Sequence, residues 1–177
     1  VISAFVWIMS GANSARTFYV DDVVWEAPDE PVPGDELVVD DTYAPSGYAG
    51  DGASGGVAER TCPRRGGAER GRCHAFTWTP GPNRWATVYW QSPANNWGAA
   101  PGFAVPSGKR SISFVAWGQN GGEAVSFGAG LDGQDTFRIA APPLVLGREP
   151  RRYTLTLSDI QYGSDVVSAF SLTMNAT

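Results

Sequence analysis

Apolar and polar residues alternate with a period of two through most of this chain. In Ser111–Trp117, Ile112, Phe114 and Ala116 fall on one side of an extended strand, and Ser111, Ser113, Val115 and Trp117 on the other. In the same way Trp85, Thr87 and Tyr89 oppose Ala86, Val88 and Trp90. Both strands carry large side chains on both faces, which predicts either an extra layer over the second face or an aromatic binding surface. Strand-like runs at 37–41, 73–79, 84–91, 109–118, 123–128, 135–140, 151–157 and 165–174 alternate with turn clusters. No stretch has a sustained helical period, so almost no helix is expected. The predicted class is all-β, a β-sandwich or jelly roll with Greek-key connections.

The pattern also repeats. Val1–Met9 reads almost as a copy of Val166–Met174. The first copy is followed by the turn Gly11-Ala12-Asn13-Ser14 and a strand-like run, Thr17–Glu26, whereas the second copy is followed by nothing comparable. The body of the chain therefore looks one strand short, and residues 1–26 are a strand pair suited to completing its sheet. Completion can be in cis or in a neighbouring molecule; the alternative is that the sequence is a piece of a tandem array. Residues 27–36, rich in Pro and acidic side chains, read as an extended linker that cannot join a sheet interior and can span roughly 30 Å. The expected organisation is a strand pair at 1–26, a linker at 27–36 and a jelly-roll domain at 37–177.

Composition agrees with this picture: 177 residues with 22 Gly, 13 Pro and 12% aromatic side chains suit one sandwich core. A formal charge of -5 argues against a nucleic-acid partner, although Arg64, Arg65, Arg70 and Arg72 form a local basic cluster diluted by Gly and Glu69. The cluster lies between the chain's two cysteines, Cys62 and Cys73. As metal ligands they lack a second pair; as a disulfide they would close the loop, stabilise by roughly 2–4 kcal/mol and indicate an oxidising compartment, so an extracellular or cell-surface location is expected. The opening apolar run lacks a basic flank and recurs at 166–174, so it reads as a strand rather than a signal peptide. No segment is long enough for a membrane-spanning helix, and no membrane insertion is expected.

The densest chemistry is in Thr77–Gly98. Trp85, Tyr89 and Trp97, with Trp117 on another strand, offer flat apolar platforms for the C–H faces of sugar rings, while Arg84, Gln91 and Asn95 supply planar hydrogen-bonding groups for hydroxyls. The plainer alternative is that the tryptophans pack the core and that Asn95 and Asn96 hydrogen-bond a turn.

The strand Phe18–Val23, the run Val38–Asp41 followed by Ser46–Gly52, and the Gly121-Gly122-Glu123 hairpin together resemble the galactose-binding-like jelly-roll modules of carbohydrate-binding families attached to bacterial polysaccharide-degrading enzymes. The resemblance implies a secreted, non-catalytic, often calcium-bound module whose partner is a polysaccharide. For calcium, the hard-oxygen candidates are Asp21, Asp22, Asp40 and Asp41, with Asp51 completing the shell. Adjacent strand residues point to opposite faces, so both members of a pair can serve one ion only at a strand end or a bulge. Solvated carboxylates at strand ends are the alternative.

Other motifs lead elsewhere or nowhere. Gly128–Gly133 matches a dinucleotide fingerprint but is followed by a strand-like run, without a helix N-terminus to receive a pyrophosphate. His74, the sole histidine, follows Cys73 at a strand start and reads as a structural or exposed imidazole rather than a catalytic base. A glycosidase would need two facing carboxylates, and Glu123, Asp132, Asp135 and Asp159 sit at turn positions, so no enzymatic activity is expected. Asn175-Ala176-Thr177 fits a glycosylation sequon by rule alone. The leading expectation is a glycan-binding domain; the alternative is a structural subunit assembling through residues 1–26 into a filament or surface layer.

Overall fold

The computed structural model describes residues 14–26, 37–67, 70–106, 109, 111–131, 134–135, 139–156 and 165–176. The expected first strand at 1–9, its turn and the linker at 27–36 fall outside these residues, apart from Ser14. The strands are β1 (Arg16–Glu26), β2 (Leu37–Val38), β3 (Ala44–Gly50), β4 (Val57–Thr61), β5 (His74–Trp78), β6 (Trp85–Gln91), β7 (Ser111–Gly118), β8 (Glu123–Ala129), β9 (Ile139–Ala140), β10 (Leu144–Leu146), β11 (Arg151–Thr156) and β12 (Ser168–Asn175). Helical structure among the described residues amounts to one turn, α1 (Val39–Thr42), and a 3-10 turn at Asp51–Ser54.

The strands form an antiparallel sandwich of two sheets. The first has the order β11-β7-β1-β5-β4 with β2 on β1, and the second β10-β8-β12-β6-β3 with β9 on β8. β1 is not an accessory at the margin. It lies in the middle of the first sheet, pairing Arg16–Val20 with β5 and Phe18–Glu26 with β7. The N-terminal strand thus fills the gap in the sheet within its own chain. β12, whose sequence Val1–Met9 resembles, is the corresponding central strand of the second sheet, between β8 and β6.

The alternating apolar positions meet between the sheets. Phe18, Phe76 and Phe114 from the first sheet face Trp90, Phe127 and Phe170 from the second, all fully buried. Phe114 and Phe127 approach to 4.1 Å between ring centroids, and Trp90 meets Phe76 edge-on at 5.4 Å. Within the second sheet Trp90 and Phe170 make a T-shaped contact at 4.1 Å.

Some expected elements changed on folding. The run 37–41, strand-like by its pattern, turns helical after Val38, a conformation in which Val39 is buried and Asp40 reaches His74 and Trp90. The Gly121-Gly122 turn does not make a hairpin, because β7 and β8 lie in different sheets and the turn carries the chain across the sandwich. Of 135–140 only Ile139–Ala140 forms a strand among the described residues. Three strands carry little signal of their own: β3 contains Pro45, Gly47 and Gly50, β4 is largely exposed, and β10 is three residues long. β3, β4 and β10 are each the last strand of a path at a sheet edge, where weak β-formers are tolerated.

The disulfide predicted from the sequence is present. Thr61 pairs with His74 at the end of the β4–β5 ladder, and the next facing pair is Cys62 and Cys73, 5.1 Å apart between Cα atoms. The arginine-rich loop is therefore a hairpin connection closed covalently at its base. Such a bond is consistent with an extracytoplasmic location. Among the described residues no helix is long and apolar enough to cross a membrane.

Candidate functional site

Strand β6 presents Ala86, Val88 and Trp90 to the core, which leaves Trp85, Thr87, Tyr89 and Gln91 on the outer face of the second sheet. Its neighbour β12 places Asn175 opposite Trp85, Thr173 opposite Thr87 and Ser171 opposite Tyr89. β8 continues the row with Ser126 opposite Thr173 and Gly128 opposite Ser171. This face of the sheet therefore carries aromatic rings along one strand, with Trp85 exposed and Tyr89 half-buried, beside a ladder of buried hydroxyls. The Thr87 hydroxyl donates to Thr173 Oγ1 at 2.5 Å. Among the described residues, buried Ser126 Oγ, Ser171 Oγ and both amide atoms of Gln91 have no hydrogen-bond partner.

The rings are seated by glycine and asparagine. Gly50 has φ +62, and a Cβ there would lie 2.7 Å from the Trp85 indole, so the missing side chain is what lets that ring lie down. Trp97 belongs to the loop after β6 and meets Tyr89 edge-on at 5.5 Å. Its position is set by the buried neighbour Asn96. The Asn96 amide donates to the carbonyls of Ser92 at 3.0 Å and Ala100 at 2.8 Å, and its oxygen accepts from the N–H groups of Gly98 and Ala100, each at 3.1 Å.

Of the residues singled out from the sequence, Trp85, Tyr89, Gln91, Trp97, Asn95 and Arg84 lie on this strand or on the loops at its two ends. Arg84 is exposed in the turn before β6, with φ 57. Asn95 is exposed with φ 60, and its N–H donates to Ser46 Oγ at 2.9 Å. Trp117 does not join them. It sits on the outer face of the first sheet, 2% exposed, stacked on Tyr19 at 4.9 Å and packed with the disulfide.

The acidic residues form a different constellation. β1 has a bulge between Asp21 and Val24, and Asp22 adopts φ 55, so both carboxylates meet the arginine-rich side of the molecule. Asp22 accepts the Arg70 N–H at 2.9 Å and the Arg152 guanidinium. Asp21 accepts the Asp22 N–H at 2.8 Å and lies 4.0 Å from Arg64, while its other oxygen is buried without a hydrogen-bond partner among the described residues. Burial pushes its pKa up to about 6, against the opposing pull of the Asp22 N–H and Arg64.

Asp40 accepts the Arg72 N–H at 2.7 Å, the Trp90 indole N–H at 3.1 Å and His74 Nε2 at 3.1 Å, while His74 Nδ1 contacts Glu59 at 2.9 Å. Burial alone would favour neutral forms of Asp40 and His74. Their mutual contact and the other hydrogen bonds outweigh it, so the carboxyl is lowered and the imidazole raised. Asp51 caps the turn before β6, accepting the N–H groups of Gly81 at 2.8 Å and Asn83 at 3.0 Å. Asp41 is exposed. Among the described residues no group of three or more His, Cys, Asp or Glu side chains could hold a metal ion. Of the carboxylates considered for calcium, Asp22 and Asp40 accept backbone N–H groups of the disulfide-closed loop, and Asp51 those of a turn.

No family model, curated protein or solved structure matches this chain.

Sequence reasoning missed part of the outer face. Thr87 lay between the chosen aromatics and has a legible period-two signal. Thr173 and Asn175 became neighbours only through the β6–β12 register, and Gln134 only because its side chain fills the space beside Gly98, where a Cβ would lie 1.9 Å from its oxygen. Asn96→Ala is expected to lower stability by about 1–3 kcal/mol, since the buried carbonyls and N–H groups it serves lose their partners. Urea unfolding measures that loss. Tryptophan fluorescence should shift as Trp97 leaves Tyr89.

Proposed function

We propose that this protein binds a polysaccharide, without catalysis, on the outer face of its second sheet. The observation that carries the reading is the contrast among tryptophans. Trp25, Trp78, Trp90 and Trp117 are buried, whereas Trp85 and Trp97 are 38% and 43% exposed on the same face, with Tyr89 between them. Two indoles left in water beside partly exposed polar side chains match the amphipathic surface of a sugar chain: rings stack on C–H faces, and Asn175, with Arg84 and Asn95 on the flanking loops, addresses hydroxyls.

The outward positions of β6, β8 and β12 carry no carboxylate, which supports recognition rather than hydrolysis. Asp135 accepts the N–H groups of Leu131, Val167 and Ser168, and Glu123 that of Asn120, so both contribute hydrogen bonds to local structure. The likeness to carbohydrate-binding modules seen in the sequence supports the same reading, as does the disulfide for a secreted setting. A calcium ion of the kind found in such modules would have to displace the contacts that Asp21, Asp22 and Asp40 now make.

Affinity electrophoresis against a panel of soluble polysaccharides tests the proposal. At least one polysaccharide should retard the parent protein, and Trp85→Ala and Trp97→Ala should each weaken that binding about tenfold or more, as central aromatic contacts do. Trp117→Phe should leave it unchanged. Retention of parental affinity by both alanine variants would sink the assignment.

A further inference from the structure

The opposite side of the molecule holds a cavity of about 630 Å³ that the glycan face does not use. It is built where three connections meet at one end of the first sheet: the disulfide-closed loop after β4, the turn between β7 and β8, and the turn between β10 and β11. These connections are tied together. Gly118 N–H donates to the Gly147 carbonyl at 2.7 Å, Gly122 N–H to Leu146 at 2.7 Å, and Gln119 N–H to Thr17 at 3.0 Å. The bond between Cys62 and Cys73 fixes the third piece. A cavity framed in this way is largely formed before any ligand arrives, and its volume is in the range of small-molecule sites.

Its lining is chemically specific. The stacked rings of Tyr19 and Trp117 make one wall, and the Arg65 guanidinium lies 5.8 Å from the Trp117 ring centroid. Arg148 faces the cavity from another connection and is positioned by its Nε–H, which donates to the Asn120 carbonyl at 2.6 Å. The amide side chains of Gln119 and Asn120 complete the polar lining. Two guanidinium groups on a chain of net charge -5 make this a local site for an anion. Among the described residues the one anionic group in the lining is Glu149, 82% exposed, at 3.7 Å from Arg65, an ion pair weak enough for a ligand to replace.

We propose that this cavity binds an acidic sugar, a pyranose ring bearing a carboxylate. Arg65 and Arg148 take the carboxylate, the Tyr19 side of the aromatic wall receives the ring, and Gln119 and Asn120 address the hydroxyls. The volume and the aromatic wall favour a ring over a bare anion, and the guanidinium pair favours a charged sugar over a neutral one. The site is independent of the outer face of the second sheet.

Titration of the whole protein with a uronic-acid trisaccharide, followed by NMR of the Trp117 indole and by calorimetry, tests this assignment. Binding should weaken as salt is raised. Arg148→Ala and Arg65→Ala, at exposed positions where the fold tolerates change, should each lower affinity about tenfold. Glu149→Gln should raise it severalfold by removing the competing carboxylate. Trp85→Ala should have no effect here, which separates this site from the glycan face. The proposal is overturned if the uronate leaves the Trp117 signal unmoved at millimolar concentration. It is equally overturned if a neutral trisaccharide or sulfate alone binds as well, or if Glu149→Gln weakens binding.

Discussion

A chain starting at residue 27 is expected to lose cooperative folding. β1 is bonded on both sides, so removing it divides the first sheet into β11-β7 and β5-β4 and bares two ladders at once. It also removes Phe18, Val20, Val23, Val24 and Trp25 from the core, all nearly or fully buried. At about 1.5–3 kcal/mol for each large apolar side chain, the loss is comparable to the about 5–15 kcal/mol that holds a typical domain together. Circular dichroism melts check the outcome, which is a broad, non-cooperative transition. Adding a peptide of residues 14–26 should restore the cooperative melt, and it also reports whether this strand can be accepted from another molecule. A shortened chain that melts as sharply as the parent would show β1 to be dispensable.

Asp40→Ala is expected to cost about 3–5 kcal/mol, because it strands the buried His74 imidazole and two N–H donors at once. Asp40 and His74 are each almost fully buried, and the aspartate also receives the Trp90 indole and the Arg72 backbone. Asp40→Asn keeps an acceptor and should cost less. The pH dependence has a definite sign. His74 has a raised pKa, so its contribution is complete below its usual value near 6.5 and is lost as pH rises through the folded value. Asp40 is lowered, so its contribution is present above the usual carboxylate value and is lost as pH falls through the folded one. Asp21, raised from 3.8 to about 6, favours its protonated form, and stability declines through that interval as this group ionises. The parent should therefore be most stable in mildly acidic solution and weaken above neutrality. Urea denaturation across pH 4 to 9 would show the alkaline slope shrinking in Asp40→Ala, since Glu59 alone then favours the imidazolium. An unchanged slope would remove His74 from the account.

The class of fold, the strands with strong alternation, the place of the N-terminal strand in a sheet and the disulfide are all legible in the order of residues along the chain. These are set by local periodicity, by side-chain branching and by the positions of two cysteines, all of which can be read without knowing any distant neighbour. Ser111–Trp117 and Trp85–Gln91 showed the same signal, large residues on both faces. Long-range packing settled that the second face of one is covered by the disulfide-closed loop, while on that of the other Trp85 is left exposed and Tyr89 half-buried. It also decided that the bulge at Asp21 and Asp22 turns toward arginines, that the Gly121-Gly122 turn crosses between sheets, and that β3 and β4 are strands at all. Burial, charge pairing and edge pairing depend on segments far apart in the chain, and alternation along one strand cannot say what will pack on top of it.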